Sequence, residues 1–162
     1  MKKYSTMRII TLALFLLYIM VILFLLIIPN SYRGHNVLVG GLTWGRWLGF
    51  VSRNINIVPF KGLTQQIGFI IAERNTVRVI IYLVGNFVGF APLGFFLPAL
   101  FARERKFAAY LITTLMSITV LELLQLITMR GSFDIDDIIL NTAGACIGFF
   151  FVGKANSRLG VF

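Results

Sequence analysis

Acidic and amide side chains recur in the most apolar parts of this sequence, where such groups carry a cost. Asp134, Asp136 and Asp137 come directly before an apolar run that contains Asn141, and Glu122 lies inside an earlier apolar run. On insertion scales a charged residue inside a membrane span costs roughly 2.5–3.5 kcal/mol, so such residues usually face a partner or a cavity. These five residues are therefore the first candidates for a functional site.

The aspartates have a spacing that suits one face of a helix. Asp134, Asp137 and Asn141 follow an i, i+3, i+7 pattern, which places them on one stripe. Asp136 falls off this stripe, and we expect it to cap the helix or to face water. A simple N-cap with acids in the first turn also accounts for all three aspartates, because carboxylates there interact favourably with the positive end of the helix dipole.

Three further residues extend the candidate site. Gln125 lies three residues after Glu122 and shares its helix face. Arg130 is the nearest cation and a natural ion-pair partner for Glu122 or Asp134. Asn86 lies in another apolar run. For Asn86 and Gln125, hydrogen bonding between helices is as good an account as ligand contact, and Glu122 has a structural ion pair as its alternative.

Two kinds of chemistry suit these residues. A polar pocket could bind a lipid headgroup, a lipid-linked cell-wall precursor or an amphiphilic drug. Alternatively, Glu122, Asp134 or Asp137 could act as a general base, or bind Mg²⁺ together with a phosphate, in an enzyme acting on a lipid-linked or glycolipid substrate.

Other residue types give the enzyme little support. The sequence shows no Ser-His-Asp set, and its single cysteine, Cys146, lies in an apolar run. The single histidine, His35, has no partner at ligand spacing and is expected at the surface. We therefore favour a binding or accessory protein without catalytic residues, metal or cofactor. A small transporter is weaker still, because no inverted repeat is visible.

The composition places these residues in a membrane protein. Of 162 residues, 58% are hydrophobic, and the mean hydropathy is +0.88. The formal charge is +9, but the basic residues lie beside apolar runs. Anionic lipid headgroups are thus the expected partner rather than nucleic acid, for which no binding motif is present.

Four apolar runs predict an all-α polytopic protein with spans at about 9–28, 79–101, 107–128 and 138–152. At ~1.5 Å per residue the first three can cross ~30 Å of hydrocarbon, whereas the fourth must tilt little, thin the bilayer or use the polar turn before it. The first run is too long for a signal peptide and is expected to be retained. Pro92 and Pro98 predict a kink in the second run.

The remaining sequence predicts how the spans are connected and packed. The long connection at 31–78 contains Trp44, Trp47 and several arginines, which favours an interfacial loop, with 54–72 either interfacial or re-entrant. Glycine pairs at G-x-x-x-G spacing, 85 with 89 and 144 with 148, predict close packing within the chain rather than dimerisation. A single membrane domain is expected.

Basic residues predict the topology. Those in short segments next to helix ends favour both termini in the cytoplasm. Because successive spans run antiparallel, Asn86, Glu122 and Asn141 then lie in the same half of the membrane, near its outer face. We expect a polar pocket there, lined by Asn86, Glu122, Gln125, Arg130, Asp134, Asp137 and Asn141.

Four blocks of the sequence resemble the VanZ family. They are "NIVPF" at 56–60, "NFVGFAPLGFFLP" at 86–98, "ELLQ" at 122–125 and "RGSFDIDDIILNTAGACIG" at 130–148. The similar region covers about 54–153. The resemblance implies a multi-pass protein of the bacterial cell membrane, and the family's named member is associated with resistance to glycopeptide antibiotics, teicoplanin in particular. We therefore expect a cell-envelope protein that reduces susceptibility to such antibiotics; the resemblance does not imply a reaction.

Overall fold

The computed structural model of the chain describes residues 2–27, 43–72 and 76–159. The described helices are α1 (Lys2–Ile27), α2 (Trp44–Arg53), α3 (Lys61–Ala72), α4 (Thr76–Phe90), α5 (Leu93–Leu100), α6 (Phe107–Ile127) and α7 (Ile135–Leu159), with a 3₁₀ helix at Ala102–Arg105. Two short strands, β1 (Ile55–Asn56) and β2 (Phe133–Asp134), form a parallel bridge. The prediction for His35 lies outside the described residues.

Four stretches of helix are long and apolar enough to cross a membrane: Thr6–Leu25, Ile80–Leu100, Phe107–Ile127 and Ile135–Val152. The predicted all-α class is thus confirmed, as is the prediction of four helices with the length and apolar composition of membrane spans. The fourth span lies in a helix of 25 residues, but its apolar part is Ile135–Val152, 18 residues or ~27 Å at ~1.5 Å per residue. Because helix α7 begins within the acidic segment, this span includes part of the polar segment that precedes the apolar run.

The second span is broken, as its prolines predict. Helix α4 ends at Phe90, a turn occupies Ala91 and Pro92, and α5 begins at Leu93. Pro98 lies inside α5 without ending it. The guanidinium of Arg105 donates to the carbonyl of Pro98 (3.2 Å), which supplies a donor to the last turn of α5.

Helix α7 packs directly on the main chain of the broken span. A Cβ atom at Gly144 would overlap the carbonyl oxygen of Phe87, and one at Gly148 would overlap that of Ala91. Close packing is therefore correct for this glycine pair. It is wrong for Gly85 and Gly89, where a Cβ would meet no atom of the described residues within 4 Å.

Helix α6 completes the core with one buried stripe. Its buried residues are spaced four apart along the helix: Tyr110, Thr114, Ile118, Glu122 and Leu126. This stripe faces α7, since the hydroxyl of Tyr110 donates to the carbonyl of Ala145 (2.7 Å), and its ring stacks on Phe149 at 4.5 Å between centroids. Polar residues thus share the α6–α7 contact with apolar ones.

The predicted interfacial loop contains two helices in its described part. Thr43 caps α2 by accepting a hydrogen bond from the main chain of Arg46 (3.4 Å). The indole of Trp47 donates to the carbonyl of Ile127 (3.0 Å), and Phe50 packs with Leu126 and Met129. Helix α2 is therefore anchored on the end of α6 that leads to the acidic segment.

Candidate functional site

The parallel bridge between β1 and β2 brings distant segments together at the start of α7. Asn56 pairs with Asp134 in the bridge, and the N–H of Phe133 donates to the carbonyl of Asn54 (2.9 Å). The amide of Asn56 also donates to the carboxylate of Asp134 (3.0 Å). The residues of the connection that follow β1 therefore lie against the first turn of α7.

Asp134 acts as the N-cap of its own helix. Its Oδ1 accepts a hydrogen bond from the main-chain N–H of Asp136 (2.9 Å) in addition to the bond from Asn56. Its other oxygen lies against Gly62, where an added Cβ would overlap it. Asp134 is buried and held from three sides, and its role is that of the N-cap, which the sequence analysis gave as the alternative to the stripe.

Asp136 caps a different helix, which corrects the prediction that it caps its own helix or faces water. Its side chain is 2% exposed and accepts hydrogen bonds from the main-chain N–H groups of Phe60 and Leu63, the latter at 2.9 Å. These groups open α3, whose first turn has free donors and a positive dipole end. Phe60 reaches this position with a left-handed backbone, at φ 65°.

Asp137 faces the second span. Its Oδ1 accepts hydrogen bonds from the hydroxyl of Tyr82 and from the amide of Asn86 (3.0 Å). Both partners are half-buried on α4 and lie four residues apart, on one face of that helix. The structure therefore brings Asn86 and Asp137 together. Sequence reasoning missed Tyr82, although its spacing from Asn86 was a usable signal.

Glu122 is buried beside this group. It is 4% exposed, and its Oε2 has no hydrogen-bond partner among the described residues. The main chain of Asp134 hydrogen-bonds the Glu122 carboxyl group, and the carboxylates of Asp137 and Asp134 act on it as like charges. The spans therefore do place Glu122, Asp134 and Asp137 at one end of the helix bundle.

Arg130 and Gln125 belong to the turn that ends α6. The carbonyl of Gln125 accepts from the N–H groups of Arg130 (2.9 Å) and Gly131 (3.1 Å), while Met129 adopts a left-handed backbone at φ 58°. This is the pattern that usually requires glycine; here Met129 is instead held by packing on Phe50. Among the described residues, no ion pair joins Arg130 to Glu122 or Asp134.

Asn141 lies deeper, further along α7 than the aspartates. It is 3% exposed, and its Oδ1 has no hydrogen-bond partner among the described residues.

The predicted residues thus fall into four settings. Asp134 accepts several hydrogen bonds at the start of α7, and Gln125 and Arg130 form the turn that ends α6. Asn86, Asp137 and Glu122, together with Tyr82, form what we call the acidic layer. Asn141 is buried deeper on α7.

The acidic layer has the chemistry of a site for a polar or cationic group. A buried carboxylate oxygen without a partner can accept a hydrogen bond from an ammonium or amide group. Within the residues that the structure describes, no three His, Cys, Asp or Glu side chains are arranged to hold a metal ion. The geometry thus offers hydrogen-bond acceptors rather than a metal-ligand set.

Apolar helices of spanning length, with acidic side chains buried at one end, define an α-helical membrane protein. A family model described as VanZ/LLP1 matches residues 15–154, so the chain belongs to the VanZ/LLP1 family. The resemblance found in the four sequence blocks is therefore confirmed, and the match also covers the second half of α1. No curated protein and no solved structure matches the chain.

Proposed function

We propose that this protein reduces the susceptibility of bacterial cells to glycopeptide antibiotics of the teicoplanin type, by binding an amphiphile at the acidic layer. The observation that carries the proposal is Glu122, a buried carboxylate with an oxygen that no side chain or main-chain group satisfies. The association of the family's named member with such resistance supports the choice of antibiotic.

The geometry favours a ligand with an ammonium or amide group on an apolar body. Glu122 and Asp137 are two carboxylates that act on each other, so an added positive charge is favoured over a negative one. Tyr82 and Asn86 are half-buried, which leaves part of the layer open to a ligand. The surrounding helix surfaces are apolar and suit an acyl chain. An amphiphilic glycopeptide or a lipid-linked cell-wall precursor has both features.

The proposal includes an orientation with both termini in the cytoplasm. Arg103, Arg105 and Lys106 lie in the short turn between α5 and α6, at the opposite end of α6 from Glu122. Basic residues in short turns favour the cytoplasmic side. This orientation places the acidic layer near the outer face, where a cell-wall precursor or an antibiotic would meet it. Cysteine labelling at 103 and at 48 in intact cells checks it.

Susceptibility measurements test the function directly. A deletion strain is complemented with the wild type, Asp137→Asn, Glu122→Gln, or Ser117→Ala as a control, since Ser117 is exposed on α6 away from the layer. We expect the two acidic-layer variants to have the teicoplanin sensitivity of the deletion strain, and Ser117→Ala to match the wild type. Immunoblots of membranes confirm equal amounts of protein.

Two results would contradict the proposal. One is wild-type resistance in both acidic-layer variants. The other is a deletion strain with the same teicoplanin sensitivity as the parent strain, which would show that the protein has no role in susceptibility to this antibiotic. If the variants instead disappear from the membrane, teicoplanin binding to the purified wild type in nanodiscs decides between a ligand site and a structural role.

An enzyme acting on a lipid-linked or glycolipid substrate, through Glu122, Asp134 or Asp137, is the alternative function. The bonds from Asn56 and from the main chain of Asp136 leave Asp134 poorly placed as a general base. Incubation of the purified protein with a labelled polyprenyl-phosphate-linked sugar, with and without Mg²⁺, distinguishes the two. Turnover that Glu122→Gln abolishes would favour the enzyme.

A further inference from the structure

Unsatisfied polar atoms are concentrated in one part of the molecule. In the described ranges, the buried side-chain oxygens without a hydrogen-bond partner belong to Glu104, Thr114, Glu122, Asn141 and Thr142. All of them lie on α6, on α7 or on the 3₁₀ helix that precedes α6. Buried polar groups are normally paired, so five exceptions on these three elements call for a functional reason.

The helix register aligns several of these groups. The bond from Tyr110 to Ala145 fixes how the antiparallel helices α6 and α7 face each other. Thr114 lies one turn after Tyr110, and Asn141 lies one turn before Ala145, so both are at the same level. Two turns beyond Thr114, Glu122 reaches the level of the first turn of α7.

A second buried acid lies just before the start of α6. Glu104 is 6% exposed, and its Oε1 accepts a hydrogen bond from the hydroxyl of Thr113 (3.1 Å). It precedes α6, whereas Glu122 lies near the end of that helix. The helix rises ~22 Å from Phe107 to Glu122, and Glu104 precedes Phe107, so the two acids lie toward opposite faces of a membrane that α6 spans.

The charged surroundings of the two acids differ. Glu104 has Arg103, Arg105 and Lys106 beside it in sequence, and the guanidinium of Arg105 bonds the carbonyl of Pro98. Glu122 has the acids of α7 as its charged neighbours, with Tyr82 of α4 bonded to Asp137. One end is thus basic and the other acidic.

We propose that this protein conducts protons across the membrane along a polar seam formed by Glu104, Thr113, Thr114, Asn141 and Glu122. Carboxylic acid and hydroxyl groups both donate and accept hydrogen bonds, and the amide of Asn141 can orient bridging water. A proton binds one terminal carboxylate, passes along the hydroxyls and bridging water molecules, and leaves from the other carboxylate. The transmembrane proton gradient or potential drives the transfer.

Two isoleucines set the rate of this transfer. Ile118 is fully buried and Ile138 is 6% exposed, and both lie between the level of Glu122 and the level of Thr114 and Asn141. An apolar constriction resists wetting and acts as a barrier to conduction. The wild type is therefore a slow proton conductor, and a polar residue at 118 removes the barrier.

Proton flux into proteoliposomes tests the proposal. Vesicles contain a pH-sensitive dye, and valinomycin with a potassium gradient sets the membrane potential. We expect the wild type to acidify vesicles faster than protein-free vesicles, Ile118→Ser to be faster still, and Glu104→Gln and Thr114→Val to fall to the protein-free rate. Ser117→Ala removes an exposed hydroxyl from the same helix and should match the wild type.

The proposal is overturned if the wild type and Ile118→Ser both stay at the protein-free rate, or if Glu104→Gln conducts like the wild type. Gel filtration and circular dichroism confirm folding before reconstitution. If Glu104→Gln does not fold, Thr114→Val decides: flux at the wild-type rate overturns the proposal, and loss of flux supports it.

This inference goes beyond antibiotic susceptibility and can fail separately from it. Thr114 lies outside the acidic layer, so Thr114→Val should lose proton flux while its strain keeps wild-type teicoplanin resistance. Loss of resistance in Asp137→Asn with wild-type flux would show that the ligand site and the seam act separately. If neither the wild type nor any variant conducts protons, the proton-conduction proposal is refuted, and the proposed ligand site is not affected by that result.

Discussion

Asp136 and Glu122 are both buried carboxylates at the same end of the helix bundle, yet their surroundings are opposite. Asp136 accepts two main-chain hydrogen bonds from the start of α3, whereas Glu122 keeps an oxygen with no partner. A buried carboxylate whose two oxygens both accept hydrogen bonds stabilises the fold, whereas a buried oxygen left without a donor reduces stability. The comparison therefore separates an acid that holds two helices together from one that our two proposals assign to a ligand and to proton transfer.

The largest effect is expected for Asp136→Ala. The change removes the acceptor for the N–H groups of Phe60 and Leu63, and both donors are left partly buried. We expect a loss of about 3 kcal/mol in the free energy of unfolding, measured by unfolding in mixed detergent micelles. Asp136→Asn retains one acceptor and should lose less. Equal stability of Asp136→Ala and the wild type would refute the structural role.

A somewhat smaller loss is expected for Gly62→Ala. The added methyl group would overlap the Oδ2 of Asp134, so the start of α3 must move away from α7. We expect a loss of about 2 kcal/mol in the same unfolding measurement. The matched control is Gly68→Ala, because Gly68 lies on the same helix with no atom within 4 Å of an added Cβ. A loss of the same size in the control would point to helix α3 itself and not to its contact with Asp134.

Tyr82→Phe addresses the acidic layer. It removes the hydroxyl that donates to Asp137 and leaves the ring in place. We expect a loss of about 1 kcal/mol in stability, with weaker teicoplanin binding by the purified protein. Binding and stability that both equal the wild type would show that the Tyr82 bond has no role in the layer.

Glu122→Gln is expected to have the smallest effect on stability and the opposite sign. A neutral amide is less costly to bury than a carboxylate whose Oε2 has no partner. The free energy of unfolding should therefore stay equal or rise by up to about 1 kcal/mol. Resistance and proton flux should nevertheless be lost. A strong loss of stability would show that Glu122, like Asp136, serves the fold.

Much of the architecture could be predicted from the sequence, because the relevant signals are local. Long apolar runs identify the four spans, Pro92 identifies the break in the second, and helical spacing places Asp137 near Asn86. The family blocks added the assignment to VanZ. These features depend on periodicity and on the order of elements, which neighbouring residues encode.

The role of Asp136 could not be predicted, because its partners lie far away in sequence. They are main-chain N–H groups at 60 and 63. Every residue except proline has such a donor, so the residue types at these positions do not reveal the contact. The same limit applies to Gly85 and Gly89. Their spacing is identical to that of Gly144 and Gly148, but only the second pair faces another main chain, and spacing alone does not reveal the direction of a face.

The bonds between the start of α3 and the start of α7 have a consequence for biogenesis. A ribosome makes the chain from its N-terminus, so Phe60 and Leu63 are synthesised before Asp136. When the span formed by α7 is made, the segment that donates to Asp136 has therefore already been synthesised. Of the four described spans, the one with the lowest mean hydropathy is made after the other three.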